Sequence, residues 1–344
     1  MSENGSMRAA VLYDVDDIRI EERAVPQIGP GELLVRTRAS GICTGDIMAW
    51  YVRRKAPLVL GHEPSGVVAA VGEGPSTGSG QAHDFKVGDR VFVHHHAPCF
   101  ECDACSRGDY VQCATWRRTA IDPGGLAEYF RVPRENTKDT LRLPDSVPFV
   151  DGSLVEPLAC VVKSLRRSGL RQQHHMYVIG LGVMGLMHAL VALSIGARVT
   201  GSDFLDERRA FAKSLGIDAV HPDETFSGAD IVICGPGSPD ALRNAFAAVA
   251  PGGTVVMFTP LEPGVPFTFD PNDLYFRDVK LVTSYSCGPQ DTRKALALIE
   301  RGIVTAQRLG ATEYPLEEAP AAYDALRHSR IIKPIVTFEP SLFR

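Results

Sequence analysis

Short segments in which every second residue is apolar recur through the first part of the chain. "GELLVRTRAS", "SGVVAAVG" and "DRVFVHHH" show this alternation, and clusters of Gly, Pro and Asp separate them. Period-two patterning with turn residues between the runs predicts a mainly antiparallel β domain over residues 1–156, with irregular loops. The Gly/Ser-rich stretch at residues 72–89, "GEGPSTGSGQAHDFKVGD", predicts a mobile loop between two of its strands. From residue 157 the texture changes. "MYVIG" (176–180), "RVTGSD" (198–203), "ADIVICG" (229–235), "GTVVMFT" (253–259) and "KLVTSYS" (280–286) read as short apolar strands. "LGVMGLMHALVALSIGA" and "LDERRAFAKSLG" carry helical spacing. Strands alternating with helices predict an α/β domain over residues 157–288, a doubly wound parallel sheet. Residues 289–344 hold one helix, "DTRKALALIERG", and a β-like ending, "KPIVTFEP", and are expected to return to the first domain.

Composition narrows the classes of function. The 344 residues are 44% hydrophobic and 22% charged, the balance of a globular protein, and 36 basic against 41 acidic residues leave a net charge of -5. A nucleic-acid partner would favour a basic face, and the basic stretches "SLRRSGLR" and "WRRT" are short and isolated. No run reaches the ~18 consecutive apolar residues of a membrane span. "MSENGSMRAAV" lacks the apolar core of a signal peptide, so a cytoplasmic location is expected.

Eight cysteines then bring in chemistry. Cys99, Cys102, Cys105 and Cys113 fall within "CFECDACSRGDYVQC". In a reducing compartment a disulfide framework is disfavoured, whereas thiolates at this spacing can surround one tetrahedral zinc. Four soft ligands leave no position open for substrate. The stretch at residues 94–113 is therefore expected to be a structural zinc lobe.

A second motif is "GLGVMG", which sets Gly180, Gly182 and Gly185 in G-x-G-x-x-G spacing with Val183 and Met184 inside it. It follows a strand, opens a helix, and has Asp203 at the end of the next strand. In that context the glycines make a tight turn, let the backbone approach a pyrophosphate and pack helix on strand. Asp203 can accept from ribose hydroxyls and would repel a 2′-phosphate, which favours NAD over NADP. Arg208 and Arg209 pull the other way, since an arginine can meet that phosphate.

A third group is dispersed: Cys43 in "GICTGD", His62 and Glu63 in "LGHEPSG", and Glu156 in "LVEPLA". A thiolate, an imidazole and a carboxylate from separate loops can hold a second zinc with its fourth position open. Such an ion acidifies an alcohol, so that its carbon can release hydride.

In order along the chain, "GICTGD", "LVLGHEPSGVV", the four-cysteine lobe, "GGLAEY", "EPLA", "GLGVMG" and Asp203 resemble the zinc-dependent medium-chain alcohol dehydrogenases. The nearest branch is that of the sorbitol (polyol) and threonine dehydrogenases. The resemblance implies a GroES-like catalytic domain beside a Rossmann domain, with the active site in the cleft between them. It implies catalytic zinc on Cys43 and His62, completed by Glu63 or Glu156, with Glu156 preferred. Asp46 then resembles the aspartate that orients the zinc-bound histidine, and a homodimer or homotetramer is implied. One departure stands out. The family's relay hydroxyl and its histidine fall at positions that are Gly45 and Met48 here. Thr44, water or the unligated glutamate are left to carry the substrate proton.

Other residues read more plainly. His94, His95 and His96 continue a strand into the lobe. Trp50 and Tyr51 stand where the family lines its substrate cleft, though core packing suits them nearly as well. Trp116, Arg117 and Arg118 follow the lobe and read as contacts to an anionic or hydroxyl-rich substrate, although a solvated arginine pair is the commoner case. Cys160, Cys234 and Cys287 read as apolar packing. The function expected is hydride transfer between a secondary alcohol or polyol, a small-molecule substrate, and NAD. Alternatives are a zinc-free enone or quinone reductase of the same superfamily, and a nucleotide-binding protein without catalysis.

Overall fold

The computed structural model describes residues 5–73 and 84–338. Most of the Gly/Ser-rich stretch, residues 74–83, lies outside the described residues. The first eight strands are β1 (Ser6–Asp14), β2 (Asp17–Ala24), β3 (Leu33–Gly41), β4 (Leu58–Val59), β5 (Glu63–Val71), β6 (Arg90–Val93), β7 (Tyr129–Val132) and β8 (Thr140–Arg142). Next come β9 (His175–Ile179), β10 (Arg198–Ser202), β11 (Asp218–Val220), β12 (Ala229–Cys234), β13 (Val249–Met257) and β14 (Lys280–Thr283). β15 (Thr312–Pro315) and β16 (Pro334–Thr337) close the series.

The chain forms two compact units. One takes the residues up to Pro157 and from Cys287 on; the other is Leu158–Ser286. In the first, a seven-stranded sheet runs β15-β16-β3-β5-β6-β8 with β7 also paired to β3, and a three-stranded sheet runs β2-β1-β4. All pairs but β15–β16 are antiparallel. The alternation read from the sequence has its cause here. Along β3, Leu33, Val35 and Thr37 are buried while Leu34, Arg36 and Arg38 are half-buried. Leu33 and Val35 pack with Val68, Val91, Val93 and Phe130 in one apolar cluster. Burying each such side chain contributes about 1.5–3 kcal/mol.

The second unit is a six-stranded parallel sheet in the order β11-β10-β9-β12-β13-β14. Its central strands are buried along nearly their whole length, as in sheets covered on both faces. Chain order reverses between β9 and β12, and Gly180 leaves the sheet at that switch point, where such folds bind ligands. This unit has the α/β Rossmann architecture, and the first unit is mainly β.

Two local expectations are corrected. Strand β6 ends at Val93, so the three histidines leave the sheet instead of extending it. The final stretch also carries a second helix, Ala319–Arg327, whose Ala322, Tyr323 and Leu326 pack against Leu12, Ile42 and Leu60.

Candidate active site

Cys43 follows β3 and caps a single 3-10 turn, Thr44–Ile47; its Sγ accepts a hydrogen bond from the Gly45 N–H at 3.3 Å. The antiparallel pairing of β3 with β5 sets Gly41 opposite Glu63, which carries this turn alongside His62. One donor atom each from Cys43, His62 and Glu63 lies within 4.8 Å of the others. The Nδ1 of His62 is 3.7 Å from Asp46 Oδ2, and the Tyr323 hydroxyl donates to that oxygen at 3.4 Å.

Glu63 is fully buried. Its Oε2 accepts from Lys333 Nζ, which also donates to the Ile42 carbonyl at 3.0 Å, while its Oε1 has no hydrogen-bond partner among the described residues. Glu156 sits in the first turn of the helix Val155–Ser168, is 5% exposed, and groups with His94 and His95. The carboxylate brought within 4.8 Å of both Cys43 and His62 is thus that of Glu63.

The three histidines have separate surroundings. His94 is fully buried, with Nδ1 2.6 Å from Asp139 Oδ2 and Nε2 3.5 Å from Cys287 Sγ. Asp139 in turn accepts from the Thr292 hydroxyl at 3.1 Å. His96 bonds to the Thr119 carbonyl and lies against Trp116. The His95 ring centroid is 5.1 Å from that of His62, and its Nδ1 is enclosed without a partner among the described residues. Cys287 is therefore a hydrogen-bonding residue, where apolar packing was expected. With both ring nitrogens engaged, His94 is not free to hold a metal alongside His95 and Glu156.

Burial dominates the electrostatics. It pushes the Cys43 thiol and the Asp46 carboxyl above their ordinary values. It would lower His62, but Asp46 and Cys43 outweigh it and hold that imidazole well above 6.5. His95 has no such compensation: burial, then His96 and His62, keep it well below the usual range. A half-buried thiol, an imidazole and a carboxylate oxygen without a partner among the described residues form a donor set that a divalent cation would satisfy.

The lobe is built around its cysteines. Sγ–Sγ separations are 3.6 Å for Cys102–Cys105 and Cys99–Cys113, and 3.9 Å for Cys99–Cys105; all four are free thiols. A tetrahedron with Zn–S bonds of about 2.3 Å has edges of about 3.8 Å, so the set fits one zinc. Backbone N–H groups point at the sulfurs: that of Cys99 at Cys113, and that of Glu101 at Cys99, each at 3.4 Å. Although burial opposes it, hydrogen bonds from the N–H groups of Cys99 and Trp116 bring Cys113 down to about 6. Trp116 is 2% exposed and packs with Cys105, Val111 and Cys113, so it is core to the lobe. Arg117 bonds to Gln112. Tyr51 carries Lys55 over its ring and meets Trp50 edge-on.

In the second unit the helix Val183–Ser194 starts directly after Gly182. Gly180 has φ +89°, and a Cβ on Gly185 would collide with the Gly180 carbonyl, so the turn excludes side chains at both. Asp203 accepts from the N–H of Leu181 at 2.9 Å and of Leu205 at 3.0 Å, which ties the glycine turn to the end of β10. Arg208 Nη1 lies 3.5 Å from the same carboxylate. Val183 and Met184 begin this helix, whose first-turn N–H groups have no intrahelical acceptor.

Comparison with known proteins agrees with this layout. The profile described as Alcohol dehydrogenase GroES-like domain matches residues 29–145, and that described as Zinc-binding dehydrogenase matches residues 183–301. D-altritol 5-dehydrogenase of Agrobacterium fabrum is 34% identical over 87% of this chain and 90% of its own. The chain belongs to the zinc-binding medium-chain alcohol dehydrogenase family. Solved relatives superpose over nearly all of it. 2R,3R-butanediol dehydrogenase from Bacillus subtilis has TM-score 0.82 and 26% identity, covering 97% of this chain and 100% of that one. A protein from Sinorhizobium meliloti 1021, solved bound to NADP, has TM-score 0.85 and 27% identity, with 97% and 99% covered. As a member of this family the protein is a zinc- and NAD(P)-linked dehydrogenase.

Sequence reasoning passed over Lys333, Tyr323 and the distinct setting of His95. The histidine tract was visible as a signal. Lys333 and Tyr323 carry no local one.

Proposed function

We propose that this dehydrogenase oxidises a secondary alcohol or polyol to the ketone, with NAD as hydride acceptor and two zinc ions per chain. The observation that carries the reading is the half-buried Cys43–His62 pair with carboxylates beside it and a glutamate oxygen left without a partner among the described residues. The unit with the lobe is proposed as the catalytic domain, residues 157–288 as the nucleotide domain, and residues 289–344 as the return to the former.

Cys43, His62 and Glu156 would hold the catalytic zinc. The Glu63 carboxylate lies within 4.8 Å of both donors, but Lys333 already cancels its charge and occupies one of its oxygens, so Glu156 is proposed as the third ligand. Bound there, zinc supplies Lewis acidity that makes a substrate hydroxyl easier to deprotonate. The residues around it do the remaining work. Gly45 N–H steadies the Cys43 sulfur, and Asp46, backed by Tyr323, orients His62. The Thr44 hydroxyl is proposed to take the substrate proton outward, since Gly45 and Met48 offer no group for it. Cys99, Cys102, Cys105 and Cys113 hold the structural zinc. Gly180, Gly182, Val183, Met184 and Gly185 cradle the pyrophosphate; Asp203 favours a free ribose 2′-hydroxyl, and Arg208 stands beside it.

A second copy of the chain is the proposed protein partner. The helix Pro271–Phe276 before edge strand β14 exposes Tyr275 (75%) and Phe276 (80%), and Tyr285 is exposed just after that strand. Among the described residues no helix is long and apolar enough to cross a membrane.

The test is NADH formation by zinc-loaded protein across polyols, cyclitols, 3-hydroxy amino acids and simple alcohols. Turnover concentrated on vicinal diols is expected. Bound zinc and NAD with no turnover on any of them would favour the non-catalytic reading.

A further inference from the structure

The three adjacent histidines differ in one respect that the reaction above does not use. His94 has both ring nitrogens engaged, and His96 has its Nδ1 on a carbonyl. His95 keeps an enclosed Nδ1 with no partner among the described residues. Leaving such a group unpaired costs about 1–3 kcal/mol, so its retention points to a partner that arrives with a ligand. The ring borders the candidate active site. The His95 ring lies 5.1 Å from the His62 ring, and one of its nitrogens is within 4.8 Å of a Glu156 carboxylate oxygen.

We propose that His95 binds a second hydroxyl of the substrate, on the carbon next to the one oxidised. The proposal rests on the dehydrogenase reading and narrows its substrate class to vicinal diols and polyols. An imidazole presents one donor N–H and one acceptor nitrogen, and a hydroxyl matches either. A simple alcohol leaves the ring nitrogen unpaired, the situation in which a polar site discriminates strongly. Placement of the ring is rigid. The preceding residue is gripped by Asp139 and Cys287 through its ring, and by Asn136 Nδ2 through its carbonyl at 3.0 Å. Ligation of the zinc by His95 is disfavoured, because a fourth protein ligand would close the position that substrate needs.

Butane-2,3-diol and butan-2-ol share one carbon skeleton and differ by the hydroxyl in question. The experiment compares kcat/KM on both for wild type, His95→Phe and His95→Gln, with zinc content and NADH binding measured on each protein. His95→Phe is expected to lower kcat/KM for the diol roughly tenfold to a hundredfold more than for butan-2-ol. His95→Gln, which keeps a donor and an acceptor, is expected to recover part of that loss. Zinc content and NADH binding stay at wild-type values in both. Equal losses on the two substrates would overturn the proposal, and so would loss of a zinc ion from either variant. A wild-type protein inactive on both compounds and on the wider alcohol panel would instead remove the dehydrogenase reading, and this proposal with it.

Discussion

Lys333 Nζ donates to Oε2 of Glu63, and each side chain is 1% exposed. The two residues are 270 positions apart, and strand pairing brings them together: β16 lies against β3, and β3 against β5. The pair places a neutralised carboxylate behind the Cys43–His62 donors.

Removing one partner strands a buried charge. Lys333→Met is expected to lower stability by about 3–5 kcal/mol, read as a shift of the urea unfolding midpoint. Adding Glu63→Gln to the same chain should recover most of that loss. A single variant as stable as wild type would show that the pair is solvated in the folded protein.

The division of labour between the two glutamates is open to a direct assay. Glu156→Ala should lose one zinc per chain and its turnover together. Glu63→Gln should keep both ions, because its charge is already cancelled by Lys333. The reverse pattern in elemental analysis would make Glu63 the ligand.

Thr44 bears on the proton route. Thr44→Val is expected to cut kcat by about tenfold or more with KM little changed, since a positioned proton-transfer group contributes at least that much. Near-normal kcat would move the route to water or to the unligated glutamate.

Acid sensitivity has one traceable source away from the metal sites. His188 is fully buried, 2.6 Å from the Ser164 hydroxyl and 2.7 Å from the Met184 carbonyl, and burial lowers it to about 4. Unfolded, the same ring titrates near 6.5. As pH falls from about 6.5 towards 4 the unfolded chain takes up the proton first, so stability is lost across that window. The full loss is on the order of 3 kcal/mol. Urea midpoints at pH 7 and pH 4.5 should therefore draw closer together in His188→Gln than in wild type. Equal separations would show that His188 titrates normally.

Local patterns made the frame legible. The alternation in "GELLVRTRAS" is strand β3 with its inner face buried, and "GLGVMG" is a turn that excludes side chains at Gly180 and Gly185. Cysteine spacing was enough to foresee four sulfurs in contact. Relations set by tertiary packing were not legible. Nothing near Lys333 in sequence announces Glu63, and the difference between His94 and His95 depends on Asp139 and Cys287, which reach only one of them. The helix Ala319–Arg327, which brings Tyr323 to Asp46, went unread because its apolar positions are mostly alanines.

The most direct test counts zinc. Wild-type protein is expected to hold two ions per chain, and Cys43→Ser one, with NADH formation from butane-2,3-diol abolished while NADH binding persists. Two ions retained in Cys43→Ser with turnover intact would contradict the account.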